Sequence, residues 1–196
     1  MLKLVWLVPA LPLVGVLING IFGRVTRERA HWLGVGTTGL SFLTALVIFC
    51  QAAGGARLDW DVYTWVSAGD FRATVGFLVD PLSAVMMLVV TFVGFLIHVY
   101  SIGYMHGDPG YARFFTYLNL FMSSMLILVL ANNYLLMFLG WEGVGLCSYL
   151  LIGFWYQKPA AADAGKKAFV VNRIGDAGFL LGLFLLWRTF ESLHYG

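Results

Sequence analysis

Glu142 stands inside the apolar run from about Tyr134 to Trp155, eight residues after Tyr134. On a helix that is about 12 Å along the axis, near the middle of a hydrocarbon core about 30 Å thick. A carboxylate at such depth costs roughly 2.5–3.5 kcal/mol on insertion scales and marks function by default. Desolvation favours the neutral acid, and a nearby cation favours the carboxylate. A carboxyl group held between these influences can load and release a proton. The plainer reading is a neutral glutamic acid hydrogen-bonded between helices. Gly140, Gly143 and Cys147 flank it at helical spacing and give a narrow face for a neighbouring helix.

Asn172, Arg173 and Asp176 fall on the last apolar run. Arg173 and Asp176 are i, i+3 neighbours that can pair on one helix face. Such a pair either fixes helix position or lines a hydrated path. Gly175, Gly178 and Gly182 lie largely on another face and suit close helix packing. Lys166 and Lys167 precede this run. They read as snorkelling interfacial lysines, or one is a partner for Glu142 or a proton entry point. His98 is a lone histidine in an apolar run, so a buried, hydrogen-bonded histidine and a proton relay are both open. Asp80 before Pro81 fits a helix N-cap.

The composition decides what must hold these groups. The 196 residues are 60% hydrophobic and 11% charged, with a mean hydropathy of +0.83. Soluble domains carry about 25% charged residues. Twelve basic and ten acidic side chains cannot coat a soluble protein of this length. This excludes an ordinary cytosolic enzyme, a nucleic-acid binder and a disordered chain, and leaves an all-α integral membrane protein. Cys50 and Cys147 lie in apolar runs without metal-ligand spacing. No metal or cofactor site is expected in this chain.

Six apolar segments are long enough to cross the bilayer. They run from about Leu4 to Phe22, Trp32 to Ala52, Pro81 to Ile102, Phe114 to Ala131, Tyr134 to Trp155 and Ala168 to Trp187. The first is too long for a signal peptide and has its basic cluster behind it. Pro9 and Pro12 can kink it, which a bundle tolerates where neighbours satisfy the freed backbone. Asn132-Asn133 reads as a tight turn between antiparallel helices. Residues 55–79 alternate polar and apolar types around Ala68-Gly69-Asp70, the pattern of an extramembrane β-hairpin. It serves as a small cap on the bundle or as a docking element for a neighbouring subunit. The whole chain, 1–196, reads as one transmembrane domain. With the N-terminus outside, the inner loops hold Arg24, Arg27, Arg29, Arg113, Lys158, Lys166 and Lys167. The outer segments hold Lys3, Arg57, Arg72 and Arg188. The positive-inside rule favours that orientation.

Leu136–Trp155, with Gly140-Trp141-Glu142-Gly143 at its centre, closely resembles the fifth helix of the chain-5, or subunit L, family of NADH-quinone oxidoreductase, respiratory complex I. Lys167–Asp176 resembles the start of the next helix, and Phe77–Ser83 and Ser101–Met105 resemble the third helix and the loop after it. The resemblance extends over essentially the whole chain. It implies part of an antiporter-like fold in a proton-pumping membrane-arm subunit, similar to the large subunits of sodium/proton antiporters. It implies that Glu142 pairs with a lysine on a later helix and that Arg173 and Asp176 belong to the adjoining polar network. Lys167 would line the inner entrance. It also implies other membrane-arm subunits, lipid and protons as partners, with NADH and quinone bound by other subunits. A bacterial inner membrane is the expected location.

The family's later helices, among them the one with the lysine partner, are not in this sequence. The chain is therefore expected to be an N-terminal fragment that completes no proton path alone. Two other readings stand beside this one. The first is the large subunit of a multisubunit sodium/proton antiporter or a hydrogenase-linked membrane subunit. The second is a non-transporting scaffold piece.

Overall fold

The computed structural model describes residues 2–26, 29–69 and 71–195. Arg27 of the basic loop and Asp70 of the hairpin turn lie outside the described residues, as does the side chain of Arg24.

A short 3-10 segment, Leu2–Trp6, leads into α1 (Leu7–Thr26) and then α2 (Ala30–Ala53). Strands β1 (Leu58–Ala68) and β2 (Phe71–Val79) follow. Helices α3 (Pro81–Tyr104), α4 (Tyr111–Leu130), α5 (Tyr134–Ile152) and α6 (Pro159–Phe190) complete the chain. Six helices among the described residues are long and apolar enough to cross a membrane. The chain is a multi-pass integral membrane protein. Helix α4 is central and packs on α1, α5, α3 and α2, while α6 leans on α5.

Two boundaries differ from the expected ones. Helix α6 begins at Pro159, well before Ala168, and runs for 32 residues. Pro159 suits the first helical position, and the alanines after it are strong helix formers. Helix propensity carries α6 past the apolar run that hydropathy detects. Helix α5 stops at Ile152, where the Gly153 N–H turns back to Tyr149 O at 3.0 Å, although the apolar run continues to Trp155.

The proline-bearing segment is satisfied by its neighbours. Pro12 has no N–H to offer Val8, one turn earlier. Ser41 of α2 donates to that carbonyl at 2.7 Å, and Ser123 of α4 donates to Pro9 O at 2.9 Å. The one non-helical residue in α1 is Phe22, not a proline neighbour.

The β-hairpin is present, with antiparallel pairing from Leu58↔Val79 to Ala68↔Phe71. Gly69 in its turn has φ +60, a conformation that glycine adopts without steric cost. The asparagine turn holds the hairpin on the bundle. Buried Asn132 donates through Nδ2 to Asp59 Oδ1 at 2.9 Å and Asp61 Oδ1 at 2.7 Å. Asn133 donates to Thr74 O at 2.9 Å and, as the N-cap of α5, accepts from the Leu136 N–H at 2.9 Å. The chain after α6 returns to the same place, where the Tyr134 N–H donates to Leu193 O at 2.9 Å. Phe71 of the hairpin meets Trp187 of α6 edge to face. Lys3 lies over Trp60. The N-terminus, the hairpin, the α4–α5 turn and the end of α6 therefore share one face of the bundle.

Candidate ion-pair site between helices five and six

Helix α5 presents Glu142 toward α6 because its other side is pressed against α4. A Cβ on Gly140 would lie 2.6 Å from the Leu128 backbone nitrogen, and one on Gly143 would lie 2.6 Å from Ser124 Oγ. Glycine at both positions lets α4 and α5 approach closely, as the spacing around Glu142 implied.

Across from that contact, Arg173 of α6 forms an ion pair with Glu142. The same guanidinium reaches Asp176 Oδ2 at 3.0 Å, the expected i, i+3 pair. One cation thus bridges two carboxylates on two helices. Among the described residues the most buried carboxylate is Asp176, with a side chain 7% exposed, whereas Glu142 is 27% exposed. Depth along the membrane and burial within the protein separate here. Arg173 also lies over the Phe169 ring, 4.9 Å from its centroid.

Sequence reasoning missed two residues of this site. The Trp141 indole Nε1 donates to Asp176 Oδ1 at 2.8 Å. Tryptophan favours membrane interfaces, so one at mid-span with an N–H in need of a partner was the available signal. Gly145 is the second, since a Cβ there would sit 2.9 Å from Arg173 Nη2. Its missing side chain makes room for the guanidinium.

Other expected groups stand apart. Lys167 is exposed and lies outside the cluster, about 9 Å before Arg173 along α6. Lys166 pairs with Asp163 at 3.6 Å, both largely exposed, a contact of little energetic weight. Neither lysine meets Glu142, whose place for a cation is taken by Arg173. Gly175, Gly178 and Gly182 were expected to support close packing, but a Cβ on any of them would meet nothing within 4 Å. They face away from α5. His98 is fully buried, with Nδ1 2.7 Å from Gly94 O. Asp80 caps α3 in a reciprocal box, accepting from the Ser83 N–H at 2.7 Å while its own N–H donates to Ser83 Oγ at 2.8 Å. The Ser83 N–H holds the Asp80 carboxyl below its ordinary value. Among the described residues no group of three or more His, Cys, Asp or Glu side chains is placed to hold a metal ion.

Residues 65–115 match the family described as NADH-ubiquinone oxidoreductase (complex I), chain 5 N-terminus. Residues 131–195, which contain the ion-pair site, match the transmembrane family of NADH:quinone oxidoreductase and Mrp antiporters. The chain is 49% identical over 194 residues to NADH-quinone oxidoreductase subunit L of Mycobacterium tuberculosis, an alignment covering 97% of this chain and 31% of that protein. The chain belongs to the complex I chain 5 family. It spans about a third of the length of the curated relatives it matches. A subunit of the archaeal membrane-bound sulfane sulfur reductase shares the chain 5 fold, with a TM-score of 0.84 at 19% identity, over 98% of this chain and 38% of that one. So does a chain of the Mrp complex from Dietzia, with a TM-score of 0.80 at 23% identity, over 97% and 20%.

Proposed function

We propose that this chain supplies a proton-loading charge cluster to a membrane-arm subunit of proton-translocating NADH:quinone oxidoreductase. The observation that carries the reading is Arg173 placed between Glu142 and Asp176. Two carboxylates and one guanidinium sum to a net charge of −1 in apolar surroundings, and one proton makes the set neutral. Trp141 holds Asp176 against Arg173, and Glu142, the more exposed of the two carboxyls, is the one a proton reaches. With Glu142 neutral, Arg173 rests wholly on Asp176. When Glu142 ionises, the guanidinium is shared again. This exchange couples proton occupancy to the α5–α6 contact. Lys167 lines the inner entrance to the cluster.

The chain adds no redox centre of its own, and NADH oxidation and quinone reduction belong to other subunits. The membrane is the bacterial inner membrane. The N-terminus and hairpin face outward, and the arginine- and lysine-bearing loops face inward, in keeping with the positive-inside rule. The isolated chain does not complete a proton path. The deciding experiment is Glu142→Gln in the full-length subunit within its complex. Proton pumping coupled to turnover is expected to fall while the complex still assembles, and unchanged coupled pumping would sink the reading. A second reading, the large subunit of an Mrp-type sodium/proton antiporter, draws support from the Mrp family description over residues 131–195. Sodium-dependent flux with no NADH-linked pumping favours it.

A further inference from the structure

A second polar system lies in the α1–α4 half of the bundle, away from Glu142. At the end of the bundle opposite the hairpin, a half-open cavity of about 1080 Å³ is lined by Asn19, His31, His106, Asp108, Arg113 and Thr116, among others. Asn19 is 1% exposed. Its Nδ2 donates to Ala30 O at 3.0 Å, but its Oδ1 has no protein donor. A buried acceptor without a donor is destabilising. In the wall of a polar cavity of this size, water is the natural donor.

His31 lies within 6.5 Å of the Phe115 ring, centroid to centroid. On the same fully buried Phe115 sits His98, with centroids 6.1 Å apart. The contact of His98 Nδ1 with Gly94 O fixes its tautomer, because a carbonyl only accepts. Nδ1 therefore carries the hydrogen, and Nε2 is a lone-pair nitrogen. That Nε2 is buried and has no protein partner. A cavity histidine and a buried imidazole nitrogen without a protein partner thus border the same aromatic side chain.

We infer that the cavity is the mouth of a hydrated proton inlet, separate from the Glu142 cluster, and that His98 Nε2 is its buried acceptor. Water in the cavity passes a proton by way of His31 around Phe115 to Nε2. The product is an imidazolium whose Nδ1–H bond to Gly94 O is kept. Return of the proton restores the neutral ring, and no other bond changes. The helices packed against α3 bring His31 and Cys50 from α2 and Tyr111, Arg113 and Tyr117 from α4, and neither helix carries an Asp or Glu. Lacking a carboxylate counter-ion from these helices, the imidazolium passes its proton on and does not trap it. The inference does not depend on the role of Glu142.

The test uses the full-length subunit in its assembled complex in membrane vesicles. Histidine C2 hydrogen–deuterium exchange, read by mass spectrometry, requires both water and an imidazolium. His98 is expected to exchange at a rate comparable with His31 and His106. Exchange at His31 and His106 with none at His98 overturns the inference. A Thr116→Cys variant is expected to react with a membrane-impermeant thiol reagent from the basic-loop face only. No reaction from that face, as when a lipid chain fills the cavity, also overturns it. His98→Gln keeps an N–H for Gly94 O but cannot relay a proton. It is expected to lower proton uptake several-fold with assembly intact, and wild-type uptake in that variant counts against the inference.

Discussion

The Trp141 indole and the Asp176 carboxylate are joined by a 2.8 Å hydrogen bond between adjacent helices. Only one of the two residues bears charge, yet the bond sets how the charge is shared. Asp176 has one oxygen on the indole and the other on Arg173, so its orientation is fixed from both sides. Arg173 then reaches Glu142 as the single adjustable link.

Trp141→Phe tests this directly. An aromatic ring is kept against Phe179 while the donor is lost. A hydrogen bond to a charged group contributes about 1.5–3 kcal/mol. Coupled proton pumping in vesicles is expected to fall several-fold with the complex assembled. Uncoupled NADH oxidation should change much less.

Arg173→Lys is expected to behave as a loss-of-function change despite keeping the charge. A guanidinium offers a planar fork of donors, whereas an ammonium is a point charge. Lysine has three donors but no rigid fork and a shorter reach, so it is expected to hold Glu142 and Asp176 together less firmly. Arg173→Met should be worse for stability, because it leaves the largely buried Asp176 carboxylate without its cation. As Arg173 and Glu142 are part-exposed, the loss should stay below the roughly 3–5 kcal/mol of a fully buried pair. Assembly yield and pumping measured on both variants separate the two effects.

Ser41 and Pro12 should be energetically coupled. Ser41→Ala leaves Val8 O without a donor and is expected to cost about 1–3 kcal/mol. In a Pro12→Ala background residue 12 regains its N–H, which can serve that carbonyl, so the same serine change should cost less. A double-mutant cycle on thermal stability in detergent reads the coupling. Strict additivity would show that Ser41 is not replacing the missing proline donor.

Asn132→Asp should free the hairpin more than Asn132→Ala. The amide donates to two carboxylates, and an aspartate there would oppose both with like charge. Limited proteolysis within residues 58–79 provides the readout. Faster cleavage in the aspartate variant is the expected order.

Asp80→Ala removes a reciprocal cap and is expected to cost about 1 kcal/mol. Because the Asp80 carboxyl is held below its ordinary value by the Ser83 N–H, its contribution is present above the unfolded carboxylate range. It is lost as pH falls through the lowered value. The stability gap between wild type and Asp80→Ala should therefore be full near neutral pH and close under acid conditions.

Much of this arrangement was legible in the residues because membrane physics leaves few choices. Six apolar runs, a two-residue alternation around Gly69 and an Asp-Pro helix start each have one cheap structural solution. Arg173 with Asp176 was legible because helical spacing is local. The partner of Glu142 was not, since it depends on how α6 is rotated about its axis. That rotation is set by Gly145, by Phe169 under the guanidinium and by Trp141, and none of these announces itself by charge. The start of α6 was missed for another reason. Hydropathy reports where a helix meets lipid, whereas Pro159 and the alanines after it continue the helix in water. The role of Asn132 was half visible, because a turn could be read from the dipeptide but its grip on Asp59 and Asp61 requires the hairpin to fold back.

The length of α5 has an electrical meaning. Its 19 residues extend about 28 Å, close to the thickness of the hydrocarbon core. Glu142 lies about 12 Å from one end and about 15 Å from the other. A proton arriving at Glu142 from either face therefore crosses roughly half of the transmembrane field. Each elementary charge carried through the full field is worth about 2.3 kcal/mol per 100 mV, so each half-journey is worth about 1.2 kcal/mol. In the role proposed for Glu142, loading from one side and release to the other would feel the membrane voltage almost equally.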